Sequence, residues 1–331
     1  MNNLIEPQNT IKFLKEHGIS AKKRYGQNFL IDKRVLDRII AGSDITGNDT
    51  VLEIGPGIGT MTQALCEAAG RVIAVEIDKD MIPVLQENLS AYDNYSIINE
   101  DVLKLDLGKL LSENEDGTER AENTADDAEA AAAAFSDNDA EDPSVDVNAD
   151  ATGDICAAEA KKTGKVKVAA NLPYYITTPI IMQLLENELP IESITVMVQK
   201  EVADRMQAKP GGKDYGALTL AVQYRAEARV IANVPPNCFI PRPGVDSAVI
   251  RLCCYDEPPV RAANEKRLFE VIKAAFAQRR KTLANALKNA PKLNVSREQV
   301  ENALTETGLP VDVRGERLSL KEFAGLTDRL F

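Results

Sequence analysis

The chain has 331 residues, 44% of them hydrophobic, and a formal net charge of −12. That length suffices for two domains with cores of their own; no apolar run approaches the ~20 residues of a membrane helix, and the polar stretch Met1 to Thr10 lacks the apolar centre of a signal peptide. Five cysteines without a CxxC pair and one histidine, His17, argue against a zinc site and a histidine-dependent triad.

Residues Asn9 to His17 read as a short helix ended by Gly18. Next comes Lys22-Lys23-Arg24-Tyr25-Gly26-Gln27-Asn28-Phe29-Leu30. Cations beside aromatics suit phosphate and a stacked ring, and equally a solvated basic turn. Asp32 is placed to cap a helix running to about Ala41, with Val35, Leu36, Ile39 and Ile40 at helical spacing. A β-branched run then enters Glu53-Ile54-Gly55-Pro56-Gly57-Ile58-Gly59, and a helix follows from Thr60 to about Ala69. Glycine allows positive φ and close approach of backbone to ligand. A glycine turn between strand and helix fits NAD, FAD or S-adenosylmethionine. No Lys-Ser/Thr follows it, which excludes a P-loop. Arg71 to Val75 is the second strand and ends at Glu76, where an acid ordinarily accepts hydrogen bonds from ribose hydroxyls; Asp78 suits the cap of the next helix. Tyr95 to Ile98 is the third strand. Asp101 after it reads either as an acceptor for an adenine amino group or as a turn residue.

Residues 112–164 differ from the rest. Between Ser112 and Ala160 stand sixteen acids and one base, Arg120, so the remainder of the chain carries +3. The body is mildly basic, and the acidic total does not exclude a nucleic-acid partner. The segment holds too little apolar surface to offset its ordering entropy, and a disordered insertion is expected, with a transient helix at Ala128 to Phe135.

Val166 to Ala170 is a strand leading into Asn171-Leu172-Pro173-Tyr174. There α/β proteins place their chemistry. The Asn171 side-chain oxygen and a backbone carbonyl beside a flat Tyr face suit a planar group bearing an NH2; Asn-x-Pro is also ordinary turn chemistry. A helix from Thr178 to Asn187, a strand from Ile194 to Val198, the basic loop Lys209 to Gly216, a helix from Ala217 to Arg225, and paired strands Ala228 to Val234 and Val245 to Tyr255 follow. Between those strands, the prolines flanking Phe239 (Pro235, Pro236, Pro241 and Pro243) stiffen the loop Pro235 to Pro243, which suits Phe239 either as a stacking platform or as a core plug. From Asp256 the pattern is helical, with Gln278-Arg279-Arg280-Lys281 at the first break.

In order, Tyr-Gly-Gln-Asn-Phe-Leu, Glu-Ile-Gly-Pro-Gly, Val-Glu-Ile-Asp, Glu-Asp-Val-Leu, Asn-Leu-Pro-Tyr-Tyr, Pro-Arg-Pro-x-Val-Asp-Ser and Gln-Arg-Arg-Lys-Thr-Leu resemble the ribosomal small-subunit RNA adenine N6-dimethyltransferases. The resemblance spans residues 9–110 and 165–330. It implies an α/β fold: a Rossmann-like, seven-stranded S-adenosylmethionine-dependent methyltransferase domain over 1–255, interrupted by the insertion, and a C-terminal helical domain over 256–331. It implies a monomeric cytoplasmic enzyme, free of metal, that dimethylates two adjacent adenosines in the 3′-terminal hairpin loop of 16S rRNA. Carried onto this chain, Asn28 and Leu30 line the cofactor entrance and Gly55 meets the methionine end beside Gly57. Glu76 then binds the ribose, Asp101 the adenine amine, and Asn171 borders cofactor and target base. The Asn171 oxygen and Pro173 carbonyl are expected to hold the target amine, with Tyr174 and Phe239 sandwiching the base.

Three alternatives differ in recognisable ways. The 23S rRNA adenine methyltransferases of macrolide resistance more often carry Phe at the fourth motif position. A non-catalytic nucleic-acid-binding relative has no need to keep Glu76, Asp101 and Asn171 together. An NAD oxidoreductase shares the glycine turn but has no use for Asn-Leu-Pro-Tyr.

Overall fold

The structure, a computed structural model, describes residues 4–112, 165–186 and 189–331. The expectation of a disordered insertion, with its helix at 128–135, lies outside the described residues apart from Ser112.

The first half comprises α1 (Pro7–Glu16), β1 (Phe29–Leu30), α2 (Lys33–Ser43), β2 (Thr50–Ile54), α3 (Thr60–Ala68), β3 (Arg71–Glu76), α4 (Ile82–Asn88), β4 (Tyr95–Asn99) and α5 (Leu107–Ser112). There follow β5 (Val166–Asn171), α6 (Thr177–Glu186), β6 (Ile191–Gln199), α7 (Lys200–Met206), α8 (Ala217–Arg225), β7 (Ala226–Val234), β8 (Phe239–Ile240) and β9 (Ser247–Cys254). The chain closes with α9 (Glu265–Ala277), α10 (Leu283–Lys288), α11 (Arg297–Glu306) and α12 (Leu320–Leu330).

Seven strands form one sheet in the order β4-β3-β2-β5-β6-β9-β7. The first five run parallel, whereas β9 is antiparallel to both β6 and β7. Of the parallel strands, β2, β3, β5 and β6 are covered on both faces and read as mostly apolar runs, while the edge strand β4 is half-buried. Along β2, Val51 packs into one core, and Leu52 and Ile54 into the opposite one. The chain steps outward from β2 to β4 and then returns to β5 beside β2. This reversal opens a crevice past the carboxyl ends of β2 and β5, where ligands of open α/β sheets bind.

Local chemistry sets the helix ends. The Asp32 carboxylate accepts from the amides of Arg34 (3.0 Å) and Val35 (3.4 Å), capping α2 as its position suggested. Ser296 with Gln299 and Ser319 with Glu322 form reciprocal capping boxes at α11 and α12. One core extends without a break from β2 and β5 through α6 and α8 into α9–α12. Aromatic rings bridge it: Tyr224 meets Phe269 edge-on at 5.4 Å, and Tyr215 meets Phe276 at 6.0 Å. On β5, Lys167 is 1% exposed. Its ammonium meets the Asp44 carbonyl, Asp49 (3.0 Å) and Glu192 (3.5 Å), so the buried charge is neutralised.

The helices α5 and α7 have no counterpart in the sequence reading, and neither does one pairing of short strands. Phe29–Leu30 pairs antiparallel with Phe239–Ile240, joining the start of the chain to the Pro-rich loop.

Candidate active site

A single cleft at the carboxyl edge of the sheet is lined by Asn28, Leu30, Gly55, Gly57, Glu76, Asp101, Asn171, Pro173 and Tyr174. These come from five segments distant in sequence, and the sheet topology brings them together.

The glycine turn forms the floor. Gly55, Gly57 and Gly59 have φ of 72°, 58° and 89°, a region costly for any residue with a Cβ. A Cβ on Gly57 would also lie 3.4 Å from the Phe29 ring. The Gly57 amide donates to Glu76 Oε2 at 3.1 Å, and the Asp78 amide to Glu76 Oε1 at 2.7 Å. Glu76 is thus fixed at the end of β3, 4% exposed, with lone pairs left over for a ligand. Burial pushes its pKa up, and those backbone amides pull it back in part. Beneath the turn lies Glu53, fully buried, neither of whose oxygens has a hydrogen-bond partner among the described residues. Burial raises its pKa to about 8; the nearby Thr62 hydroxyl, though outside hydrogen-bonding geometry, opposes the shift, and the Glu76 charge adds to it. Asp101, at the rim, accepts from the Leu103 amide at 3.1 Å.

The opposite wall is the Asn-Leu-Pro-Tyr turn between β5 and α6. The Asn171 amide group donates to the Asn28 carbonyl at 3.0 Å. That bond fixes the side chain's orientation and leaves its oxygen as a free acceptor. The Tyr174 hydroxyl bonds Ser247 Oγ at 2.6 Å, which anchors the half-buried ring by its far end. Burial raises the phenol's pKa and the Ser247 bond lowers it, the former winning.

Two expected roles meet obstacles here. The Pro173 carbonyl already accepts from the Thr177 hydroxyl (3.0 Å) and the Ile176 amide (3.2 Å). Both lone pairs serve the first turn of α6, so this carbonyl is not the open acceptor expected for an amine. The neighbouring residue, Leu172, lines the cleft, and its carbonyl receives no hydrogen bond among the described residues. Phe239 does not reach the cleft: it is 1% exposed and packs in the core beside Leu30, Val35 and Val249, the core-plug reading of its loop.

The basic segment before the cleft is likewise put to another use. Lys22 binds Asp78 (2.8 Å) and Asp80 (2.6 Å), while Gln27 accepts from the Lys22 amide and donates to Asp78. Lys22 therefore clasps the N-terminal flap to the turn after β3, where the sequence offered it as a phosphate contact. Exposed cations gather elsewhere. Lys209 and Lys213 lie on the loop that abuts Arg317, near Arg279, Arg280 and Lys281. Among the described residues no group of His, Cys, Asp and Glu is arranged to hold a metal, and no helix is long and apolar enough to cross a membrane.

A sheet of this order, a glycine turn after β2, an acid closing β3 and Asn-Leu-Pro-Tyr closing β5 define a Rossmann-like methyltransferase. The chain belongs to the ribosomal RNA adenine dimethylase family, whose sequence profile matches residues 18–325. It is 50% identical to the ribosomal RNA small subunit methyltransferase A of Lachnoclostridium phytofermentans, over 99% of this chain and 98% of that one. Its identity to the protein of that name from Bacillus licheniformis is 43%, over 99% and 97% of the two chains. A dimethyladenosine transferase from Plasmodium falciparum shares the fold with a TM-score of 0.59 and 23% identity, covering 90% of this chain and 95% of its own. The 23S rRNA methyltransferase ErmE shares it with a TM-score of 0.55 and 23% identity, covering 92% and 99%. The protein is an rRNA adenine dimethyltransferase, and neither the 23S-directed nor the non-catalytic alternative is favoured.

Proposed function

We propose that the protein transfers methyl groups from S-adenosylmethionine to N6 of two adjacent adenosines in the 3′-terminal hairpin loop of 16S rRNA. It acts as a monomer in the cytoplasm, on the small ribosomal subunit or its precursor. The observation that carries this is the pairing of two walls in one cleft: Glu76 and Asp101 on one side, Asn171 and Tyr174 on the other.

The cleft suits the methyl donor. Glu76 offers carboxylate acceptors to a ribose diol, and its backbone bonds hold it there at no reorganisation cost. Asp101 offers an acceptor to an adenine amine. The positive φ at Gly55 and Gly57 clears backbone from the path of the amino-acid end. When bound, the donor supplies a methyl group activated by a positive sulfur.

The adenine amine is a poor nucleophile because its lone pair is delocalised into the ring. The Asn171 oxygen and the Leu172 carbonyl, taking the place expected of Pro173, would each accept one N–H bond. This favours a pyramidal nitrogen whose lone pair points across the cleft. Tyr174 supplies the face on which the flipped base stacks. Its raised pKa keeps it a neutral phenol, so its part is positioning rather than proton abstraction. Rate enhancement then comes from orientation and fixed dipoles. Lys209, Lys213, Arg279, Arg280 and Arg317 offer the backbone phosphates of a folded RNA a positive corner.

Incubation with labelled S-adenosylmethionine and undermethylated small subunits, then mapping of the modified nucleotides, tests the reading. Two labelled adjacent adenosines near the 3′ end of 16S rRNA are expected. Label confined to 23S rRNA would overturn it.

A further inference from the structure

We propose that Tyr175 forms the roof of the cleft's nucleoside end, covering the adenosine half of the methyl donor. This rests on S-adenosylmethionine being the donor. It assigns to the second tyrosine of Asn-Leu-Pro-Tyr-Tyr a task separate from that of Tyr174.

Four observations converge. Most large apolar side chains are buried; of the few described ones that stay well exposed, two line this cleft, Tyr175 at 53% and Ile77 at 40%. Ile77 sits between Glu76 and Asp78, beside the acid assigned to the ribose. Tyr175 is laid against the bare Cα of Gly26 in the N-terminal flap: a Cβ there would lie 3.2 Å from the ring's Cδ1. It lines the same cleft as Asp101, Tyr25 and Glu76, and burial first, then the charge of Asp101, and further down Tyr25 and Glu76, hold its pKa above the ordinary phenol value. Finally, Tyr174 is tied to Ser247 on the far side of the motif, so the two neighbouring rings serve different ends of the cleft.

The physics favours a flat ligand beneath Tyr175. An aromatic left more than half in water gains most when a second π-face covers it, and stacking on a purine tolerates small changes in ring position. The glycine at position 26 lets the ring lie flat along the flap. A side chain there would wedge the two apart.

The chain contains no tryptophan, which allows a direct test. A Tyr175→Trp variant carries one indole, whose emission should change on titration with S-adenosylhomocysteine, with the dissociation constant that calorimetry gives. In parallel, Tyr175→Ala should weaken S-adenosylhomocysteine binding about tenfold, while Tyr175→Phe, which keeps the ring, should bind within about twofold of wild type. RNA KM should be unchanged in both. Substitution at so exposed a position should preserve folding, checked by the melting curve. If wild type binds S-adenosylhomocysteine and Tyr175→Ala binds it equally well, the roof is refuted and the methyl-donor reading stands. A loss confined to RNA KM would instead place Tyr175 on the substrate base and also overturn the proposal. If wild type takes up no S-adenosylhomocysteine, the donor reading falls, and the roof with it.

Discussion

Glu53→Gln should remove a pH dependence of folding that the wild-type protein carries. Glu53 is fully buried under the glycine turn without a hydrogen-bond partner among the described residues, and burial moves its pKa from 4.5 to about 8. Between those values the folded protein holds the proton while the unfolded chain has released it. The unfolded state then binds fewer protons, so stability falls as pH rises through the window. The contribution is complete below about pH 4.5 and lost above about pH 8. A shift from 4.5 to about 8, at 1.36 kcal/mol per unit, sets the full swing at about 4–5 kcal/mol. Gln is nearly isosteric and cannot ionise. Its unpaired amide hydrogens add an offset of about 1–3 kcal/mol that does not vary with pH. Urea unfolding of both proteins at intervals from pH 5 to 8.5 should show wild type losing several kcal/mol relative to the variant. Parallel curves would refute the reasoning, for Glu53 would then have the same proton affinity folded and unfolded.

The remaining predictions concern the cleft and its supports. Asn171→Ala should lower kcat about 10²- to 10³-fold, the effect of removing one preorganised polar contact, with S-adenosylhomocysteine affinity within about threefold of wild type by calorimetry; normal turnover would dismiss its role. Glu76→Gln should weaken cofactor binding, and wild-type affinity should itself fall on acidification through a pKa above the ordinary carboxylate range, since the protonated acid is the poorer acceptor; a flat profile from pH 8 to 5 would contradict this. Gly57→Ala should cost about 1–2 kcal/mol of stability, because its φ is 58° and Phe29 crowds the added methyl. Lys167→Ala should cost about 3–5 kcal/mol by leaving Asp49 and Glu192 without their buried cation, seen as a lowered denaturation midpoint.

Most of the fold was legible because its elements carry strong local signals. The run into Gly55 gave β2 and α3, Asp32 gave the cap of α2, and Ala217–Arg225 is the helix its pattern suggests. Glu76, Asp101 and Asn171 were found from their positions at strand ends, and the sheet does gather them. What escaped depends on tertiary partners. A two-residue ladder between Phe29–Leu30 and Phe239–Ile240 has no periodicity to read. The same ladder draws Phe239 into the core, against the platform its prolines suggested. Occupation of the Pro173 carbonyl depends on a Thr four residues on, at the start of α6, which is why the proposed acceptor is the Leu172 carbonyl instead. Lys22 looked free for phosphate because Asp78 and Asp80 lie more than fifty residues away in sequence. Glu53 belongs to a recognised motif, yet its burial without a hydrogen-bond partner among the described residues shows only once β3, β5 and α3 close over it.

The unbroken apolar interior that joins the sheet to the last four helices has a mechanical corollary. Close-packed side chains resist shear, and Tyr215, Tyr224, Phe269 and Phe276 interlock across the junction. The basic corner near Arg279 and Arg317 is therefore held at a set reach from Asn171. On the proposed reading the molecule would work as a calliper: one jaw for sugar-phosphate, the other for a single nucleobase, with the span between them choosing which nucleotide of a folded RNA is offered for modification.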